Sequence, residues 1–208
     1  MTRGRPKVPH TPPQPLVRDD TDLVTAAPLL WRVHRTTGVH VLSWDALRTW
    51  GPLPSMRWDP HPLPVGEHVD GVLYAAPALE TALAEAFATT RMVDTASFDP
   101  HATAWRPTRH LRLLDLTGGW ALRNHAANAL SAAPRSTCRA WARVIRATWP
   151  DLDGLWTPST MTGDPTVVLW SPAGGTFPAS PGFSRPLGHP TVRAVIRAAA
   201  TAIGYSLV

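Results

Sequence analysis

Tyr74 and Glu85 stand eleven positions apart in an Ala- and Leu-rich stretch running from Gly71 to Phe87. The segment GVLYAA reads as a strand, and Pro77 supplies a favoured first helical residue. From there Leu79, Ala82, Leu83, Ala86 and Phe87 follow the i, i+3, i+4, i+7, i+8 spacing of a core-facing helix. At roughly 100° per residue, Glu85 falls on the other side, roughly 120° or more from that stripe. Two readings follow. One is an ordinary solvated glutamate. The other is a lone carboxylate facing a cleft, because its neighbours there, Ala78, Thr81, Ala84 and Ala88, lack the Lys, Arg and Glu of a solvated face. A fixed carboxylate in such a place stabilises positive charge developing on a substrate. Tyr74, at the end of the strand, is either a core or rim tyrosine or a ring projecting over the same cleft.

Two arginines extend the set. Arg32 lies between Trp31 and Val33 in the strand-like segment LLWRVHR, and Arg57 lies in SMRWDP, a loop whose prolines fix its backbone. An arginine in an apolar strand needs an anionic or carbonyl partner, since burying it unpaired is costly. That partner is either structural or a ligand phosphate, which a guanidinium holds by paired hydrogen bonds.

The elements that must position these residues read as one α+β domain. Residues 1–27 are Pro-rich with few large apolar side chains and are expected to form an unstructured tail, leaving 28–208 as the folded unit. Further strands are expected at HLRLLDL, LWTPS and TVVLW, and helices at WALRNHAANALSAA, at STCRAWARVIRATW with Ser136 or Thr137 as cap, and from about Pro190 to Ala202. Short strands with interspersed helices and no regular βαβ alternation point away from a doubly wound sheet. Ten tryptophans exceed what a core of this size needs.

Composition excludes several classes. The single cysteine, Cys138, rules out an internal disulfide and a Cys-based zinc site, and the nine histidines show no metal-ligating spacing, so no metal is expected. Neither a P-loop nor a Rossmann glycine fingerprint occurs. No apolar run approaches the roughly 20 residues of a membrane span, and no secretory signal is visible, so a cytoplasmic location is expected. The net charge of +5 comes almost wholly from arginine, Lys7 being the only lysine. Genomic base composition accounts for that as well as anion recognition does, and direct nucleic-acid binding is not expected.

In order, Arg32, Arg57, LYAAP with Tyr74, ALAEAF with Glu85, DGLWTPS with Ser159 and the closing VVLW strand resemble the RES domain family, named for its Arg, Glu and Ser signature. The resemblance covers about Leu29 to Pro172. It implies an ADP-ribosyltransferase-like fold of small twisted sheets flanked by helices. It also implies the activity of a bacterial toxin that destroys NAD by cleaving its nicotinamide–ribose bond, with water or inorganic phosphate as acceptor. NAD is then substrate, with no separate cofactor, and the implied partner is a helix-turn-helix antitoxin of the Xre type. Carried over by position, Glu85 and Arg32 are catalytic, and Arg57, Tyr74 and Ser159 bind substrate. The chain departs from the family in having Trp156 where relatives often have a tyrosine shortly before the serine, and Thr157 and Thr160 compete with Ser159 for its place. Transfer of ADP-ribose to a macromolecule and a non-catalytic basic binding module are the rival functions.

Overall fold

A computed structural model describes residues 6–208. Eleven strands and four α-helices alternate along the chain: β1 (Leu23–Ala26), β2 (Leu30–Arg35), β3 (Arg48–Gly51), β4 (Gly66–Ala75), α1 (Leu79–Ala86), β5 (Met92–Val93), β6 (Pro100–Trp105), β7 (Leu111–Asp115), α2 (Trp120–Arg123), α3 (Arg135–Thr148), β8 (Gly154–Pro158), β9 (Pro165–Trp170), β10 (Phe183–Pro186), α4 (Arg193–Ala202) and β11 (Ser206–Leu207). The strands form a six-stranded sheet in the order β1-β7-β8-β9-β4-β3, a three-stranded sheet β10-β6-β2 and a two-stranded sheet β11-β5. The class is α+β, as expected.

The large sheet is antiparallel except for the β7–β8 pair. At its centre Gly154 has φ +155°, and a Cβ there would lie 1.8 Å from the Val168 carbonyl oxygen, so only glycine lets β8 and β9 approach. Helix α3 lays Trp141 and Ile145 onto one face of this sheet, where they join Trp120, Trp170 and Leu155. Trp58, Trp105, Trp120, Trp141 and Trp170 are each at most 2% exposed. Five of the ten tryptophans thus build the core, Trp31, Trp44, Trp149 and Trp156 pack against it half-buried, and Trp50 is exposed. Pro134, not Ser136 or Thr137, stands at the start of α3; Thr137 is buried and its hydroxyl meets His10 at 3.0 Å.

The unstructured tail is also corrected for residues 6–27; residues 1–5 lie outside the described residues. Leu16 is buried, the Asn124 side chain exchanges two hydrogen bonds with the Val17 backbone, Trp141 Nε1 donates to the Pro9 carbonyl, and β1 pairs with β7 from Leu23↔Leu114 to Ala26↔Leu111. Composition hid this because the segment's few packed apolar residues, Val8, Leu16, Leu23 and Val24, are scattered between prolines and charges and find their partners only on distant elements. Deleting residues 1–26 is therefore expected to lower the unfolding temperature, since Leu16 alone withdraws a side chain worth about 1.5–3 kcal/mol from water. A thermal melt of the truncated chain checks this, and an unchanged midpoint would contradict it.

Helix α1 begins at Leu79, two residues after Pro77, because Ala76 is still committed to the sheets: it exchanges backbone hydrogen bonds with Trp31 in both directions, at 2.7 and 2.9 Å. This bridge joins β4 of the large sheet to β2 of the small one. Among the described residues no helix is long and apolar enough to cross a membrane.

Candidate active site

Where β2, β4 and the end of α1 meet, the surface folds into a cleft of about 530 Å³. Arg32 of β2, Tyr74 of β4, Glu85 of α1 and Arg57 of the loop after β3 line it. Helix α1 is covered on both flanks: Leu83, Thr81 and Ala84 are all buried, with Tyr205 donating from its hydroxyl to the Ala84 carbonyl at 3.3 Å. Only near the C-terminal end does the helix open, and there Glu85 is exposed to the cleft. The geometry matches the reading of a lone carboxylate facing a cleft. Its side of the helix is close-packed, yet the carboxylate itself is wet.

Ser159 is 5% exposed and lies behind the carboxylate, donating to Glu85 Oε1 at 2.5 Å. The same hydroxyl oxygen accepts the backbone N–H groups of Met161 (3.0 Å) and Thr162 (3.2 Å), so the turn after β8 fixes the direction of its proton. Thr157 is buried against Ser131, while Thr160 reaches the cleft wall. Ser159 thus orients the glutamate from beneath and Thr160 lines the opening. Ser159→Ala is expected to remove one carboxylate bond and a cap on two N–H groups. It should cost about 1–3 kcal/mol of stability and lower turnover more than substrate affinity. Paired measurements of kcat and KM with a denaturation curve check both parts.

The arginines are more committed than their sequence positions suggest. Arg32 Nη1 donates to the carbonyls of Ser43 (3.1 Å), Trp44 (2.7 Å) and Ala46 (3.4 Å), so the required partner is, for that nitrogen, structural. Burial lowers its guanidinium to about 10, with Asp45 opposing the shift, and it stays charged at neutral pH. Arg57 Nη1 donates to the Ala133 carbonyl and contacts Cys138 Sγ at 3.5 Å. Burial raises the Cys138 thiol, with the nearby Arg57 opposing that shift.

Tyr74 contributes its ring to the cleft, but its hydroxyl points into a buried network. It accepts the Trp58 N–H at 3.1 Å and donates to Asp59 Oδ1 at 3.0 Å. Asp59, fully buried, also receives Arg48 Nη2 at 2.5 Å and the Leu53 N–H at 2.8 Å. Burial pushes the tyrosine hydroxyl well above its ordinary range, and the Asp59 charge adds to the shift. For Asp59 burial acts upward, but His61, the Leu53 N–H and Arg48 together hold the carboxyl below its usual value. Sequence reasoning missed Asp59 and Arg48 because WDP looks like a turn and the two residues meet only across the β3–loop–β4 fold. Among the described residues no three His, Cys, Asp or Glu side chains converge to hold a metal.

The RES domain family model matches residues 29–188. The chain belongs to the RES domain family. The matched span contains Arg32, Arg57, Tyr74, Glu85 and Ser159, whereas β1, α4 and β11 lie outside it. Among solved structures, this RES chain shares its fold with a chain in the crystal structure of the M. tuberculosis MbcT–MbcA toxin–antitoxin complex, at 18% identity and a TM-score of 0.57. The match covers 85% of this chain and 92% of that one. No curated protein matches it.

Proposed function

We propose that this chain consumes NAD by cleaving the nicotinamide–ribose bond, as the toxin of a toxin–antitoxin pair. The observation that carries the reading is the Ser159-held Glu85 carboxylate opening into a cleft that Arg32, Arg57 and the Tyr74 ring also line. Breaking the bond from C1′ to the pyridinium nitrogen sends the electron pair to nicotinamide, which leaves neutral. An electron-poor ribose remains. Glu85 stabilises that charge through the carboxylate oxygens and the ribose hydroxyls, and no general acid is needed for the leaving group. Water or inorganic phosphate then forms the new bond to C1′, and water gives up a proton as it does so.

The Tyr74 ring offers a face for the nicotinamide while its hydroxyl stays in the network with Asp59, a role of stacking and not of proton transfer. NAD is a substrate here, with no further cofactor. The fold shared with a chain from a complex described as toxin–antitoxin supports an antitoxin partner, for which a helix-turn-helix protein of the Xre type is the candidate. The test is nicotinamide release from NAD by the purified protein, with and without phosphate. Free ADP-ribose identifies water as acceptor, its 1″-phosphate identifies phosphorolysis, and label carried onto protein or nucleic acid identifies transfer. A folded protein that releases no nicotinamide under any of these conditions sinks the proposal.

A further inference from the structure

Four arginines line the cleft, Arg32, Arg48, Arg57 and Arg135, against one acidic residue, Glu85. Three of the four are already engaged: Arg32 with three loop carbonyls, Arg48 with Asp59, and Arg57 with the Ala133 carbonyl. Arg135, the first residue of α3, is exposed and has no hydrogen-bond or ion-pair partner among the described residues. Its backbone is nevertheless held in place. Arg57 bonds to Ala133 two residues before it, and Arg139, one turn later, donates from Nη1 to the carbonyls of Leu53 (3.4 Å), Pro54 (3.0 Å) and Met56 (2.9 Å). The start of α3 and the loop carrying Arg57 are thereby fastened together on one side of the cleft.

From this we infer that Arg135 is a phosphate-binding residue of the cleft, taking a phosphoryl oxyanion in its uncommitted guanidinium fork. The inference rests on the proposed NAD reading for the two sources of that anion, the diphosphate of the dinucleotide or the inorganic phosphate acceptor. Its chemistry does not depend on which. An arginine fork with all five N–H groups available matches two phosphoryl oxygens at once, whereas Arg32 and Arg57 can offer only what their carbonyl bonds leave over. The excess of positive charge on the cleft wall also calls for an anion in the bound state.

The experiment measures binding of ADP-ribose, inorganic pyrophosphate, inorganic phosphate and adenosine to the wild-type chain, Arg135→Gln and Arg135→Lys. A thermal melt confirms that each variant is folded. Removing one charge-assisted paired contact is expected to weaken the phosphorylated probes about tenfold or more. Lysine should restore part of the loss and adenosine should be unaffected. Weakening of ADP-ribose assigns the dinucleotide diphosphate; weakening of inorganic phosphate alone assigns the acceptor. Equal affinities in wild type and Arg135→Gln for all three phosphorylated probes, or no binding of any of them to wild type, would overturn the inference. Loss of pyrophosphate binding in Arg135→Gln alongside a wild-type chain that releases no nicotinamide would leave this residue's role standing and remove the proposed reaction.

Discussion

Glu85→Gln is expected to slow nicotinamide release by roughly two to three orders of magnitude, the scale of losing one preorganised electrostatic contact to a charge that develops in the transition state. The loss should appear in kcat with little change in KM, because the carboxylate acts on the electron-poor ribose and not on the resting substrate. Stability should barely move. Glu85 is exposed, its one hydrogen-bond partner is Ser159, and a glutamine carbonyl can still accept from that hydroxyl. Stopped-assay nicotinamide release and thermal melting on the same preparation give both numbers. A drop in melting temperature with an unchanged rate would make the residue structural.

Asp59→Ala should have the largest effect on stability. The substitution leaves the largely buried Arg48 guanidinium, the Tyr74 hydroxyl and the Leu53 N–H without the fully buried acceptor they share. Breaking a buried ion pair from one side costs about 3–5 kcal/mol. For a chain of this size that is a fall of about 6–20 °C in melting temperature. The pH dependence has a definite sign. The folded-state pKa of Asp59 is depressed, so its contribution is fully present above the unfolded carboxyl value of about 3.9 and is lost as pH falls through the folded value. The stability gap between wild type and Asp59→Ala should stay level from neutrality down to that unfolded value and narrow in stronger acid. Denaturant melts at a series of pH values check this, and a gap that widens in acid would show that the carboxyl is not charged in the fold.

Much of the site was legible because its residues sit on elements with strong local patterns. The apolar stripe of α1, the alternation in β2 and the GVLYAA strand place Glu85, Arg32 and Tyr74 without knowledge of the tertiary fold. What escaped was whatever depends on distant pairing. β6 is PHATAW, too small and too polar to announce a strand, yet it is buried between β2 and β10. β1 exists because β7 offers it an edge. The Asp59 network and the engagement of Arg32 with carbonyls eleven to fourteen residues along the chain follow from loop closure, which local periodicity does not encode. Arg135 carries no signal of its own in the sequence, since its distinction lies in what the other arginines have already bound.

The Trp31–Ala76 bridge bears on how the cleft can work. It stitches the two larger sheets together at the cleft wall, so the spacing of Arg32 and Tyr74 is set by main-chain bonds and not by side-chain packing. Hinging the wall at this point would break both of those bonds. Ligand therefore meets a preformed groove and spends little of its binding energy on closing it. By the same logic, a protein that silences the chain gains nothing by prying the sheets apart. Its economical route is to stopper the mouth, where the engaged Arg57 and the unengaged Arg135 are carried on backbone segments tied together by hydrogen bonds.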